Sequence, residues 1–468
     1  MDSVRCALRL LPGDGAPGQA GWRIQRSLVR AGRGEHQSVG SHRGTDQPQT
    51  VMLAADEQDR RTTTRLILVM RGLRSLAYGL LSVLLGIALA GEGFSPVVIG
   101  ILITVSLVGD MVGTYVIGLF ADAWGRRRTL ALLALFMAAT GVIFGLVTSY
   151  PVLLVAAFFG TLGTSASETA PFLPIDQTMM AQVSTPERRT ALFARYNLVA
   201  ALSVAIGALV AGVPGLLTQI GLPLASGTRL MFGLYAALAL IVAGLSLRLS
   251  ASVEAPLHSS TQPQNSRPRL VPPLHRSRGI VWRLTALFSV DALAGGLVVQ
   301  SLVVLFFHLR FGVPLTTLSV LFFGANLLSA LSFLAAVPLA RRFGLLNTMV
   351  FTHLPSNILL ILVAFAPTFP IAAMLLLLRQ TLSQMDVPTR QAYTMALVAP
   401  EERTAAASVT SLARSIGSAT SPVFSGLLLQ GPLLIVGLPF ILAGMLKAAY
   451  DLTLWSIFRH VRLKEEML

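Results

Sequence analysis

The residues of this chain best placed to do chemistry are charged side chains inside apolar runs. They are Asp110, Glu168, Arg195, Asp291, Arg379, Asp386, Arg390 and Arg414, with Lys447 and Asp451 one helical turn apart near the C-terminus. A charge at the centre of a bilayer costs about 2.5–3.5 kcal/mol on insertion scales, so each such residue needs a partner or a task. Arg379, Ser383, Asp386 and Arg390 recur at helical spacing and share one stripe, which must face protein or water. A guanidinium does not shed its proton, so Arg379 requires an anion. Two readings stand for it: a clamp on an anionic group of a bound molecule, or a structural pair with Asp386, Glu168 or Asp291. Arg390, nearer the end of its run, reads as a structural pair. Thr161, Thr164, Ser165 and Glu168 form a second polar face. Glu168 and Asp291 are the carboxyls suited to carry a proton, since a carboxyl in a low-dielectric cavity can be switched by a neighbouring Arg. A structural hydrogen bond is the competing reading for each. His353 and Asn357, one turn apart, read as a satisfied packing pair rather than a proton relay. Lys447 is expected to be neutralised by Asp451 at i+4.

These side chains need helices to hold them. Of the 468 residues 54% are hydrophobic and only 12% charged, and the mean hydropathy of +0.70 would leave a soluble globule short of polar surface. Apolar runs near 20 residues are long enough as helices to cross about 30 Å of hydrocarbon, and lone strands could not satisfy their backbone there. The hydropathy predicts spans over 66–90, 96–120, 128–148, 150–180, 190–212 and 228–249, then over 281–307, 316–340, 345–366, 370–398, 405–429 and 434–458. Residues 1–60 are polar, rich in Gly and Arg, and lack the apolar core of a signal peptide; they read as a disordered tail, with Met52 as an alternative start. Residues 61–249 and 281–460 form two six-helix bundles, 250–280 a Pro- and Arg-rich linker, and 461–468 a second tail.

The net charge of +15 comes from Arg in the tail and in alternate loops, not from one basic face, so it reads as topology and not as nucleic-acid binding. Arg126–Arg128, Arg188–Arg189, the linker arginines, Arg341–Arg342 and Arg403 share one side, which places both termini in the cytoplasm. The only cysteine, Cys6, lies in the tail, which excludes an intrachain disulfide, a thiolate metal cluster and a cysteine nucleophile.

An internal repeat supports the two halves. Leu173-Pro174-Ile175-Asp176-Gln177 recurs as Val387-Pro388-Thr389-Arg390-Gln391, Pro186-Glu187-Arg188-Arg189-Thr190-Ala191 recurs as Pro400-Glu401-Glu402-Arg403-Thr404-Ala405, and Gly212 keeps the register as Gly426. Apolar letters match by chance in a biased sequence; Pro, Gln, Glu, Arg and Thr in fixed register do not.

Between the second and third runs stands Gly118-Leu119-Phe120-Ala121-Asp122-Ala123-Trp124-Gly125-Arg126-Arg127-Arg128. It resembles the signature loop of the major facilitator superfamily, Gly-x-x-x-Asp-Arg-x-Gly-Arg-Lys/Arg, departing at Ala123, and Leu339–Gly344 is a degraded echo in the second half. The resemblance covers about residues 61–460. It implies an all-α membrane fold of twelve helices in two pseudo-symmetric bundles, acting as a secondary transporter of a small solute by alternating access. It also implies that spans 1, 4, 7 and 10 line the cavity. The Gly118, Asp122, Gly125, Arg126 and Arg127 loop would gate the cytoplasmic side, Asp122 acting on the helix beginning near Thr404. Asp110, Arg195 and Arg414 lie on helices resembling the rocking interface and are expected to latch the halves.

Coupling to protons, a monomer in the cytoplasmic membrane, lipid as its solvent and no cofactor complete the expectation. Drug–proton antiporters of the superfamily have Gly-Pro in the fifth span and Arg in the fourth, whereas Gly207-Ala208 and no arginine stand here, so a drug cargo is weakly indicated beside an organic anion. A sensor or scaffold that keeps the fold without moving solute is the alternative, and it leaves the buried charges without a purpose. An enzyme would need a His, Ser–Lys or paired-Asp constellation at mid-membrane, and an ATP-driven pump a GxxxxGK[ST] loop; the sequence has neither.

Overall fold

The computed structural model describes residues 46–164, 171–184, 186–254, 277–399, 402–432 and 437–460. Glu168, residues 255–276 of the expected linker 250–280, and the C-terminal tail 461–468 lie outside them. The architecture below is that of the unit Ala54–Leu468.

The first half contains α1 (Asp46–Gly91), α2 (Pro96–Trp124), α3 (Arg126–Leu146), α4 (Tyr150–Phe159), α5 (Phe172–Val183), α6 (Pro186–Val210), α7 (Val213–Leu217) and α8 (Leu224–Leu247). The second contains α9 (Arg278–Leu297), α10 (Gln300–Phe311), α11 (Leu315–Phe343), α12 (Leu345–Phe365), α13 (Phe369–Gln380), α14 (Asp386–Leu397), α15 (Arg403–Leu429) and α16 (Leu438–Phe458). Nine stretches are long and apolar enough to cross a membrane, among the described residues. The fourth and tenth crossings are each split into two shorter helices, and α15, rich in Ser, Ala and Arg, completes the twelve. Helix α1 starts at Asp46, inside the segment expected to be an unstructured tail. Beyond Pro48 its sequence has no breaker, and Ala54, Ala55, Glu57 and Gln58 are good helix formers that carry the helix past the apolar run.

Three crossings are interrupted where hydropathy predicts continuous spans. The fourth leaves the helix after Phe159, at Gly160-Thr161-Leu162-Gly163-Thr164. Gly163 there adopts φ +60°, and its α-carbon lies so close to the ring of Tyr78 that a β-carbon would clash. The seventh breaks at Val298-Val299, just after Gly295-Gly296, and the tenth over residues 381–385. Broken helices at membrane depth leave free backbone groups that protein or water must satisfy.

The halves approach most closely at the end remote from the Asp122 loop. There α2 packs on α15 and α6 on α11. A methyl group at Gly100 would lie 2.5 Å from the Pro422 carbonyl oxygen, and Gly426 sits equally tight against Pro96. Hydrogen bonds cross between the halves at the same level: Gln300 Nε2 donates to Ser82 Oγ (2.8 Å), and Ser301 Oγ lies 3.0 Å from the carbonyl oxygens of both Ser82 and Thr164.

Candidate functional site

Each half holds a buried ion pair between its first crossing and its fourth. In the first half Arg74 of α1, with no exposed surface, pairs with Asp176 of α5. Tyr196 of α6 donates its hydroxyl to the same Asp176 oxygen at 2.7 Å. The Arg74 guanidinium stands 4.5 Å over the Phe172 ring, and that of Arg71 4.5 Å over the Tyr196 ring. Above this cluster Tyr78 donates to Thr161 Oγ1 at 3.1 Å.

In the second half Asp291 of α9 is the hub. Its Oδ1 accepts from Lys447 Nζ of α16 at 2.6 Å; its Oδ2 accepts from Arg414 of α15 at 2.9 Å and from Arg390 of α14 at 3.2 Å. Arg390 also holds Asp386, one turn away, at 2.6 Å. Asp291, Asp386 and Arg390 are buried, whereas the Arg414 side chain keeps 31% of its surface exposed. The expected partnership of Lys447 with Asp451 is not formed. The α9 carboxylate faces Lys447, and Asp451 is occupied on its other side by His353 Nδ1 (2.9 Å) and Asn357 Nδ2 (2.9 Å) of α12. His353 and Asn357 therefore share a carboxylate instead of merely packing on each other.

Arg379 lies in the last turn of α13, at the break of the tenth crossing. It donates to the adjacent Gln380 at 3.0 Å, and Ser383 donates to the same oxygen. Its Nε is buried without a partner, and no carboxylate lies within 4.0 Å of it among the described residues. The stripe read from the sequence is thus divided by the break: Asp386 and Arg390 join Asp291, and Arg379 stands apart.

Of the residues expected to latch the halves, Arg414 engages Asp291 of its own half because α15 packs along α9, where Ser421 also donates to the Leu293 carbonyl at 2.6 Å. Asp110 is buried, with Oδ1 lacking a partner, on the part of α2 where Gly109 meets the Phe158 backbone of its own half. Arg195 is exposed on α6. In the loop, Arg126 binds Asp122 (2.7 Å), Gln182 (2.5 Å) and the Val253 carbonyl (3.0 Å). Glu254 accepts from the backbone N–H groups of Arg126 (2.7 Å) and Arg127 (3.3 Å), which places a carboxylate on the positive end of α3.

The model for the Major Facilitator Superfamily matches residues 67–422. The chain belongs to this superfamily. It is a multi-pass membrane protein and a solute transporter. Its sequence is 28% identical over 423 residues to the uncharacterized membrane protein YJR124C of Saccharomyces cerevisiae (strain ATCC 204508 / S288c), covering 84% of this chain and 94% of the yeast protein. The fold is similar to that of the nucleoside transporter NupG (TM-score 0.67, 14% identity, 85% of this chain and all of that one). It is also similar to a bacterial homolog of the human lysosomal transporter Spinster in an inward-facing, unoccupied conformation (0.66, 15%, 87% and 99%). A D-xylose-proton symporter gives 0.65 at 14% identity, over 84% of this chain and 97% of that one.

Asp122 binds Arg126 one turn on, and 66% of its side chain is exposed; the side chain of Thr404, where the resemblance places its partner, lies outside the described residues. Arg71 and Arg74 escape the sequence reading although they stand three residues apart inside the first apolar run, which is itself the signal. Asp176 enters that reading only as a repeat marker.

Proposed function

We propose that this transporter carries a small solute bearing an anionic group by alternating access, driven by a proton gradient. It works as a monomer in the cytoplasmic membrane with both termini in the cytoplasm. The observation that carries this is Arg379. It is a permanent cation at a helix break in a cavity-lining crossing, with a buried Nε and no carboxylate within 4.0 Å among the described residues. Arg390, Arg414 and Lys447 share Asp291 and Asp386, three cations on two carboxylates, whereas Arg379 has no carboxylate within 4.0 Å among the described residues, which suits it to meet an anion brought by the solute. Arg414, partly exposed, supports the same site. Contacts at the end remote from the Asp122 loop support a conformation open to the cytoplasm, in which Asp122 has let go of the other half. Glu168 stays a candidate for the proton path beside Asp291, and Arg195 a candidate contact between halves in the opposite conformation.

The test is comparative metabolite profiling of a deletion strain, followed by uptake of the accumulated or missing solutes into proteoliposomes with and without an imposed pH gradient. Uptake of an anionic solute that rises with the gradient and is lost in Arg379→Gln is expected. Solutes carried equally well by Arg379→Gln would overturn the reading.

A further inference from the structure

The Lys447 ammonium stands between two carboxylates and uses one of them. Its Nζ is 2.6 Å from Asp291, while Asp451, one turn along the same helix, is fully buried and bound to His353 Nδ1 at 2.9 and 3.0 Å and to Asn357 at 2.9 Å. A lysine at i reaches a carboxylate at i+4 by rotamer change alone. We propose that the His353–Asp451 pair is a proton-binding site, and that its protonation decides whether Lys447 holds Asp291 or turns to Asp451.

The charges set the direction. Around the pair stand Lys447 and Tyr450 on α16 and Asp291 on α9, with Tyr393 of α14 in the same cluster as Tyr450 and Arg390, Asp386 and Arg414 on the far side of Asp291. Of this set His353 is the imidazole, the side chain able to hold a proton on one ring nitrogen or on both. With a proton on both ring nitrogens, His353 neutralises Asp451, and Lys447 is left to Asp291, the arrangement seen here. When that proton leaves, Asp451 keeps only neutral donors from Asn357 and the His353 ring, its charge is unbalanced, and Lys447 is the cation able to reach it. Asp291 then keeps Arg390 and the partly exposed Arg414. The change passes to α15, which is locked to α9: a methyl group at Gly417 would lie 2.7 Å from the Ser289 carbonyl oxygen. Helix α15 in turn packs on α2 of the other half. Proton loss at a site between α12 and α16 thereby reaches the interface between halves. The inference rests on the proton-driven reading above and locates its proton.

The distance measurement needs no solute. In the full chain with Cys6→Ser, spin labels at Ala191→Cys and Arg341→Cys sit on exposed positions at the loop-side ends of α6 and α11, and their separation reports opening on that side. Lowering the pH from 8 to 5.5 is expected to raise the ratio of long to short distances by about fivefold or more. His353→Gln, which keeps a donor to Asp451 but takes no proton, holds the short distance at every pH. Asp451→Asn removes the second anchor and holds the long one. A wild-type ratio that ignores pH, or variants that titrate like the wild type, would overturn the proposal. Should either variant fail to insert, Lys447→Gln serves instead: it leaves the His353–Asp451 pair intact, its ratio is expected to lose pH dependence, and continued titration overturns the switch. Gradient-driven uptake with a pH-silent distance ratio rejects this site and leaves the proton-driven reading standing. A titrating ratio in a protein whose uptake ignores the gradient rejects that reading alone.

Discussion

Asp176 and Arg390 hold the same place in the internal repeat, yet they anchor ion pairs of opposite polarity: Arg74 to Asp176 in the first half, Asp291 to Arg390 in the second. The repeat carries opposite charges at this position, and each is paired with the first crossing of its own half. Removing one partner from a buried pair strands the other, at a cost of about 3–5 kcal/mol. Asp176→Asn should therefore lower the unfolding temperature in detergent markedly, and the swap Arg74→Asp with Asp176→Arg should recover much of the loss. A swap that melts below both single variants would speak against interchangeable polarity.

The tight seam of α2 and α15 offers a second test. Gly100 and Gly426 each face backbone of the opposite half, with no room for a side chain. Leucine at either position props open the end remote from the Asp122 loop. The alternating cycle then requires the loop side to close, so the spin-label separation between Ala191→Cys and Arg341→Cys is expected to shorten at every pH. Unchanged separations would mean that this seam is not where the halves rock.

The crossings were legible because hydropathy reports the length of an apolar run, and the predicted ends fall within a few residues of most helix ends from α2 onward. The breaks were not, since a window of apolar letters does not register a backbone that leaves the helix at Gly163 or at Val298-Val299. Partnerships were legible only where local spacing and tertiary packing agree. Asp386 and Arg390 are such a case, four residues apart and bonded. Lys447 and Asp451 have the same spacing, but α9 brings Asp291 to the lysine and α12 brings His353 to the aspartate. No pattern within one helix encodes which neighbour arrives. The Glu254 carboxylate on α3 was invisible for the same reason, being distant in sequence from the loop it caps.

That cap bears on gating. Glu254 and Arg126 fasten the loop to its own half, and in the gating we propose the exposed Asp122 carboxylate exchanges Arg126 for the other half when the loop side closes. Asp122→Asn should slow solute uptake without preventing insertion; a barrier change of about 1 kcal/mol corresponds to roughly fivefold in rate. Initial uptake rates in vesicles at matched protein content decide it, and equal rates would remove Asp122 from the gate.

Arg379 separates recognition by shape from recognition by charge. Lysine at this position keeps the cation but loses the planar fork that grips a carboxylate or phosphate at two points. A hydrogen bond to a charged group is worth about 1.5–3 kcal/mol, so one lost contact costs roughly ten- to a hundredfold in affinity. Arg379→Lys is accordingly expected to raise the KM for the solute by at least about tenfold with a smaller change in kcat, while Arg379→Gln abolishes uptake. The local fold should survive both, because the guanidinium hydrogen-bonds only to its neighbour Gln380 and supports no ion pair within 4.0 Å among the described residues. Thermal unfolding measured beside the kinetics checks that separation. Wild-type stability with lost uptake places Arg379 on the solute; lost stability in both variants would return it to the role of a structural cation.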